Sequence, residues 1–124
     1  MKKIFIVDDN EMMRAFLLNF FKKKYEVRAF TSGEEALATI DTELKPDLLL
    51  LDFELEGMSG YDTMQSLKAS ELFKNVPIIF LSGKQKSEIR IDCLKAGAAD
   101  FISKPFNPVE LSLKIEKQLS TIKQ

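Results

Sequence analysis

Four short apolar runs in this chain each lead into a polar group able to do chemistry. Residues 4–7 run into Asp8 and Asp9, residues 48–51 into Asp52, residues 77–81 into Ser82, and residues 98–102 are followed by Lys104 and Pro105. Brought together, the carboxylates repel: two of them about 4 Å apart cost roughly 4 kcal/mol at an effective dielectric near 20. One lysine offsets only part of three negative charges, so a divalent cation is the simplest further neutraliser. Every ligand on offer is an oxygen, which selects Mg²⁺ (or Mn²⁺) over zinc. An ion held by carboxylates in an incomplete cage keeps positions for water and a phosphoryl oxygen. Asp52 is then placed as a nucleophile that can form an aspartyl phosphate. Phosphoryl transfer asks mainly for positioning and charge neutralisation, which metal, lysine and hydroxyl supply together.

For these groups to meet, the runs must be neighbouring strands. Residues 4–7 read as a buried strand bounded by acids. Met13, Phe16, Leu17, Phe20 and Phe21 fall at helical spacing and predict an amphipathic helix over about residues 10–23. Residues 25–30 read as a second strand, after which Ser32 and Glu35 form a capping box for a helix running to about Leu44. Pro46 ends that pattern. Four consecutive leucines, residues 48–51, suit the middle of a parallel sheet covered on both faces. Gly57 and Gly60 mark a loop, and Ser59 caps a helix over about residues 60–72. A strand over 77–81, a helix over 85–96, a strand over 98–102 and a last helix opened by Asn107-Pro108-Val109-Glu110 complete the series. Five strands alternating with five helices predict an α/β doubly wound, five-stranded parallel sheet. In the order 2-1-3-4-5, three carboxylates converge at the carboxyl ends of its central strands, where such folds place their crevice.

Taken singly, each of these residues has an ordinary structural reading. Asp9 or Asn10 caps the first helix, Asp52 begins a turn, Ser82 before Gly83 belongs to a loop, and Lys104 is a solvated lysine. The set is more specific than its members, because four strand ends must be polar in the right way at once. The rest of the composition excludes competing classes. With no histidine among 124 residues, Ser-His-Asp and Cys-His nucleophile systems and histidine-containing metal sites are ruled out, as is a phosphohistidine on this chain. The single cysteine, Cys93, forms no internal disulfide and reads as a small core residue on the fourth helix. A net charge of −1 argues against direct, strongly electrostatic nucleic-acid binding. No apolar run nears the roughly 18 residues of a membrane span, and Asp8, Asp9 and Glu11 interrupt the N-terminal run too early for a secretory signal. The expectation is a cytoplasmic protein with one domain over residues 1–124.

As a set, the residues closely resemble the response regulator receiver family of two-component signalling. The resemblance lies in Ile6-Val7-Asp8-Asp9-Asn10, in Leu50-Leu51-Asp52-Phe53-Glu54-Leu55-Glu56-Gly57-Met58-Ser59-Gly60, in Leu81-Ser82-Gly83, and in Asp100-Phe101-Ile102-Ser103-Lys104-Pro105-Phe106. It implies a flavodoxin-like fold with Asp52 as phosphoacceptor and Mg²⁺ bound directly by Asp9 and through water by Asp8. The backbone carbonyl of Glu54 would be a further ligand. Ser82 would hydrogen-bond the phosphoryl group, Lys104 would pair with the carboxylate or the phosphoryl group, and the Lys104–Pro105 bond would be cis. The resemblance also implies an output by population shift: phosphate draws Ser82 inward, the Phe101 ring enters the vacated space, and the face of the fourth helix, fifth strand and fifth helix changes, the alternative being that Phe101 is a plain core aromatic and the switch depends on it less. A histidine kinase or histidine phosphotransfer protein would be the donor and another protein the target, with homodimerisation through that same face a further outcome. Glu56 stands where many members have proline, predicting a looser loop. Glu54 and Lys84 either form an ion pair over the site that slows hydrolysis or remain two solvated side chains, since exposed pairs contribute little.

Three other readings compete. A phosphatase of the haloacid dehalogenase type also forms an aspartyl phosphate with Mg²⁺, but carries Asp-x-Asp after its first strand and a cap insertion. A flavodoxin-like FMN binder needs a Ser-, Thr- and Gly-rich phosphate loop, whereas Asp8 and Asp9 repel a bare phosphate. A phosphorylation-independent interaction module would be marked by a missing acid or lysine, and none is missing. No output domain follows residue 124 in this sequence. The chain is thus either a stand-alone regulator, which Met1 favours, or one domain of a longer product.

Overall fold

The apolar runs and amphipathic stretches become, among the described residues, five strands and five helices. The structure is a computed structural model and describes residues 1–84 and 86–122. In chain order the elements are β1 (Lys3–Val7), α1 (Glu11–Phe21), β2 (Glu26–Phe30), α2 (Gly33–Thr39), β3 (Leu48–Asp52), α3 (Gly60–Lys68), β4 (Ile78–Ser82), α4 (Ser87–Lys95), β5 (Asp100–Ser103) and α5 (Pro108–Ile122). All strand pairs are parallel and the order is β2-β1-β3-β4-β5, as the alternation predicts. The chain steps from β1 outward to β2 and then back across to β3. This reversal opens a crevice above the carboxyl ends of β1 and β3.

Period-two alternation divides the core into two layers. Phe5, Val7, Leu49, Leu51, Phe80 and Phe101 face Ala36, Met64, Leu67 and Cys93 of α2, α3 and α4. Ile4, Ile6, Leu48, Leu50, Ile79, Leu81 and Ile102 face Leu17 and Phe21 of α1 and Leu111, Ile115 and Leu119 of α5. Every residue of β3 and of β4 is buried, which explains the unbroken leucine run. Cys93 is in the core as expected, and burial, with Asp92 beside it, pushes its thiol up to about 11.

The helix starts follow their caps. The side chains of Asn10, Ser32 and Ser59 accept from the amides of Met13 (2.9 Å), Glu35 (3.0 Å) and Asp62 (3.0 Å). Asn107 accepts from Val109 at 2.8 Å and Glu110 at 3.3 Å. Glu35 reaches back one residue further than a capping box requires, to the amide of Thr31.

The ends depart from expectation. α2 stops at Thr39 rather than near Leu44, because Ile40 turns extended and the Asp41 carboxylate accepts from the amides of Glu43 and Leu44. That local turn competes with further helix. α3 stops at Lys68 instead of running to 72, where a series of tight turns through Ser70 and Phe73 takes over. The expected first residue of α4, Gln85, lies outside the described residues. On α1, Leu17 and Phe21 are buried, whereas Phe16 and Phe20 are 44% and 41% exposed. Positions 13, 17 and 21 lie along the sheet-facing line, and 16 and 20 fall on the helix flank.

Candidate functional site

The crevice gathers the polar strand ends. Asn10 does the capping of α1, so neither acid before it is used for that purpose. Asp8 is almost fully buried at the end of β1. Its amide donates to the Phe30 carbonyl at 3.1 Å, and its carboxylate accepts from the Asn10 amide at 2.8 Å. Asp9 is exposed at the rim and accepts from the Glu56 amide at 3.3 Å. Asp52 ends β3, buried, and accepts from the Glu54 amide at 3.1 Å. Lys104 follows β5, where its amide donates to the Ser82 carbonyl at 2.7 Å. Its ammonium lies 3.2 Å from Asp8 and 3.5 Å from Asp52. The Lys104–Pro105 bond is cis.

Asp8, Asp9 and Asp52 each offer an oxygen, and these oxygens lie within 4.8 Å of one another. One ammonium facing three carboxylates leaves a surplus of negative charge, and its effect shows on Asp52. Burial, and then the charge of Asp8, push the Asp52 carboxyl up to about 6, against the pull of Lys104 and the Glu54 amide. Burial works against the charged form of Lys104, but Asp52 and Asp8 outweigh it and raise its pKa above the usual lysine value. An all-oxygen donor set with surplus negative charge and one rim position open to water fits a hard divalent cation.

This arrangement can bind such a cation, present a carboxylate oxygen as a nucleophile, and meet an incoming phosphoryl group with an ammonium. The response regulator receiver domain family matches the chain over residues 4–116. The chain belongs to that family. Among curated relatives, the receiver is 38% identical to a protein-glutamate methylesterase/protein-glutamine glutaminase of Bacillus subtilis, over 96% of this chain and 34% of the relative. It is 38% identical to the phosphate regulon transcriptional regulatory protein PhoB of Pseudomonas aeruginosa, over 95% of this chain and 52% of that protein. The chain thus spans about a third to a half of these relatives. Among solved structures it superposes with a TM-score of 0.86 on the receiver domain of the sensor histidine kinase PA1611 of Pseudomonas aeruginosa, at 27% identity, covering 96% of this chain and 98% of that one. That structure carries a magnesium ion coordinated in its active site cleft. Membership sets aside the phosphatase and flavin readings. No helix among the described residues is long and apolar enough to cross a membrane.

One expectation about this receiver needs correction. Glu54 and Lys84 form no ion pair: the Glu54 carboxylate accepts instead from the Ser82 hydroxyl and, at 2.9 Å, from the Gly83 amide, while Lys84 is exposed. A buried hydroxyl and a backbone amide hold the carboxylate in place better than a mobile solvated lysine can. Phe101 is buried already, with its ring 5.9 Å from Phe53 and 6.1 Å from Phe80, while Ser82 is bonded to Glu54. A phenyl ring has no hydroxyl to favour an outward, solvated position, so packing alone decides its place.

Two residues outside the sequence reading also shape the site. Arg14 on α1 donates to the Asp8 carbonyl at 2.8 Å and holds the end of β1. Glu34 on α2 accepts from the Met58 amide at 3.1 Å. With Asp9 accepting from the Glu56 amide, the loop after β3 is held by two carboxylates. A basic residue one turn into the helix was a readable signal for Arg14. Glu34 offered none, being 24 residues from its partner.

Proposed function

We propose that Asp52 accepts a phosphoryl group from a phosphohistidine-bearing donor, with Mg²⁺ held by Asp8, Asp9, Asp52 and the Glu54 carbonyl. The observation that supports this most is the crowding of three acids around one lysine at the sheet's crevice. The bound ion neutralises charge on the carboxylates and on the transferred group. Asp52 supplies the attacking oxygen. The phosphorus–nitrogen bond of the donor breaks, the leaving nitrogen keeps the electron pair, and the imidazole takes up a proton. Lys104 shifts from its place between Asp8 and Asp52 to pair with the new phosphoryl oxygens, and the Ser82 hydroxyl donates to another. The chain catalyses its own phosphorylation and dephosphorylation and turns over no separate substrate.

Output passes through α4, β5 and α5, reached from Ser82 by the β4–α4 loop. α4 buries only Cys93 and borders a hollow of about 670 Å³ lined by Phe53, Tyr61 and Ile89. An element with so few buried contacts is easily shifted. Ile91, Val109 and Leu113 are exposed on α4 and α5, a surface for a downstream protein or a second copy of the chain. This function belongs in the cytoplasm, where a histidine kinase or phosphotransfer protein meets it.

Incubation with Mg²⁺ and acetyl phosphate tests the reading. Intact-protein mass should rise by one phosphoryl group, and excess chelator should prevent it; labelling that ignores chelator would reject the metal-assisted mechanism. Donor contact makes a second prediction. Met12, Phe16 and Phe20 form an exposed apolar strip on α1, and Met12, Phe16 and Lys104 line one hollow at the crevice rim. Phe16→Ser is expected to slow transfer from the phosphorylated donor protein about tenfold while acetyl phosphate labelling stays within about twofold, because desolvated aromatic contacts carry much of a docking interface. Equal slowing with both donors would place the defect in the site instead.

A further inference from the structure

The Glu54 side chain leaves the chain two residues beyond Asp52 and crosses to the end of β4. One carboxylate oxygen accepts from the Ser82 hydroxyl and the other from the Gly83 amide at 2.9 Å. The Ser82 oxygen accepts in turn from the Lys84 amide at 3.0 Å. Ser82 is fully buried, and its one hydrogen goes to the near Glu54 carboxylate rather than to the Lys84 carbonyl, 3.4 Å away. A hydroxyl with a single hydrogen cannot also donate to a phosphoryl oxygen on Asp52. The two anions repel as well, and phosphorylation puts nearly two negative charges where Asp52 carried at most one.

Resting on the receiver reading above, we propose that the Glu54 carboxylate is a built-in competitor for the phosphoryl group. It holds the Ser82 hydroxyl and the Gly83 amide in the unphosphorylated chain, and phosphorylation of Asp52 expels it. The same event frees the Gly83 amide, at the start of the segment leading into α4. The N-cap of α4, Lys86, makes no side-chain capping bond. Glu54 is therefore a charge-operated latch between Asp52 and the output face. Its carbonyl serves the metal and its side chain serves the switch.

Beryllofluoride titrated with Mg²⁺ reads the competition, in wild type, Glu54→Ala and Glu54→Gln, each with and without Ser82→Ala. Glu54→Ala is expected to bind about tenfold tighter than wild type, the size of a lost hydrogen bond to a charged group. Glu54→Gln, which keeps the shape and one acceptor, should fall between. In the Ser82→Ala background the gain should shrink to about threefold or less, because the latch acts through that hydroxyl. Hydrogen exchange at the Gly83 amide of the unliganded protein should speed up in Glu54→Ala. An equal gain in both backgrounds would mean simple charge removal and would overturn the latch, as would a flat response to Glu54 or an unchanged Gly83 exchange rate. Failure of wild type to bind beryllofluoride at all would remove the receiver reading and the latch together.

Discussion

Replacing Asp52 by asparagine is expected to abolish phosphoryl acceptance and, at neutral pH, to make the metal-free protein more stable. Asparagine has no anionic oxygen to attack phosphorus, so labelling by acetyl phosphate should fall to background. The gain in stability follows from the acid's environment. Its carboxyl is pushed from 3.8 to about 6 by burial and by Asp8. Below about pH 4 the group is protonated in both folded and unfolded chains and contributes no difference. Between about 4 and 6 the unfolded chain gives up its proton while the folded chain keeps it, so stability falls as pH rises. Above about pH 6 the loss is complete and amounts to roughly 2–3 kcal/mol. An uncharged amide at this position removes that penalty. Thermal unfolding without metal should show Asp52→Asn melting higher by roughly 8–10 °C at about pH 7.5, with the gap closing near pH 4. Added Mg²⁺ should raise the wild-type melting temperature much more than the variant's, since the metal relieves the same repulsion. Equal melting temperatures at neutral pH would mean the three acids are not in conflict, and the electrostatic basis of the site would fail.

The same crowding explains why so much of the site was legible in the sequence. Acids, a hydroxyl and a lysine placed at the ends of apolar strands are costly unless they meet, and the alternation of elements leaves few ways to wind the sheet. Asp8, Asp9 and Asp52 accordingly lie together with Lys104 where the strand order reverses, and the Ser82 carbonyl at the end of β4 accepts from the Lys104 amide. What escaped the sequence is the choice among partners once they are close. Glu54 has both a buried serine 28 residues on and an exposed lysine two residues beyond it as sequence candidates, and only the packed structure ranks them. Helix ends were missed where a local side-chain turn, such as that of Asp41, outcompetes helix propagation. Phe16 and Phe20 satisfied the helical period as well as Leu17 and Phe21, because periodicity gives the direction of an apolar face and leaves its width open.

Gly57 and Gly60 look alike in the sequence, yet substitution is expected to separate them sharply. Gly57 has a φ of 73°, and an added Cβ there would meet the flexible Glu34 carboxylate at 2.8 Å. Asparagine tolerates that backbone region, so Gly57→Asn should cost about 1 kcal/mol. Gly60 has an ordinary φ and opens α3, but an added Cβ would lie 2.3 Å from the Asp52 carbonyl oxygen and 2.9 Å from the Phe53 Cα. Both are backbone atoms of the segment that carries the phosphoacceptor, and the Gly60 amide donates to the Phe53 carbonyl at 3.3 Å across the same contact. Neither side can yield by rotating a side chain, so α3 must lift off or β3 must bend. Overpacking of this kind costs about 3 kcal/mol, and Gly60→Ala should melt roughly 10 °C lower than wild type. Because the displaced backbone bears Asp52, the folded fraction should also bind Mg²⁺ more weakly, which Gly57→Asn should not match. A Gly60→Ala protein with wild-type melting temperature and Mg²⁺ affinity would show that α3 does not sit on the Asp52 backbone as described.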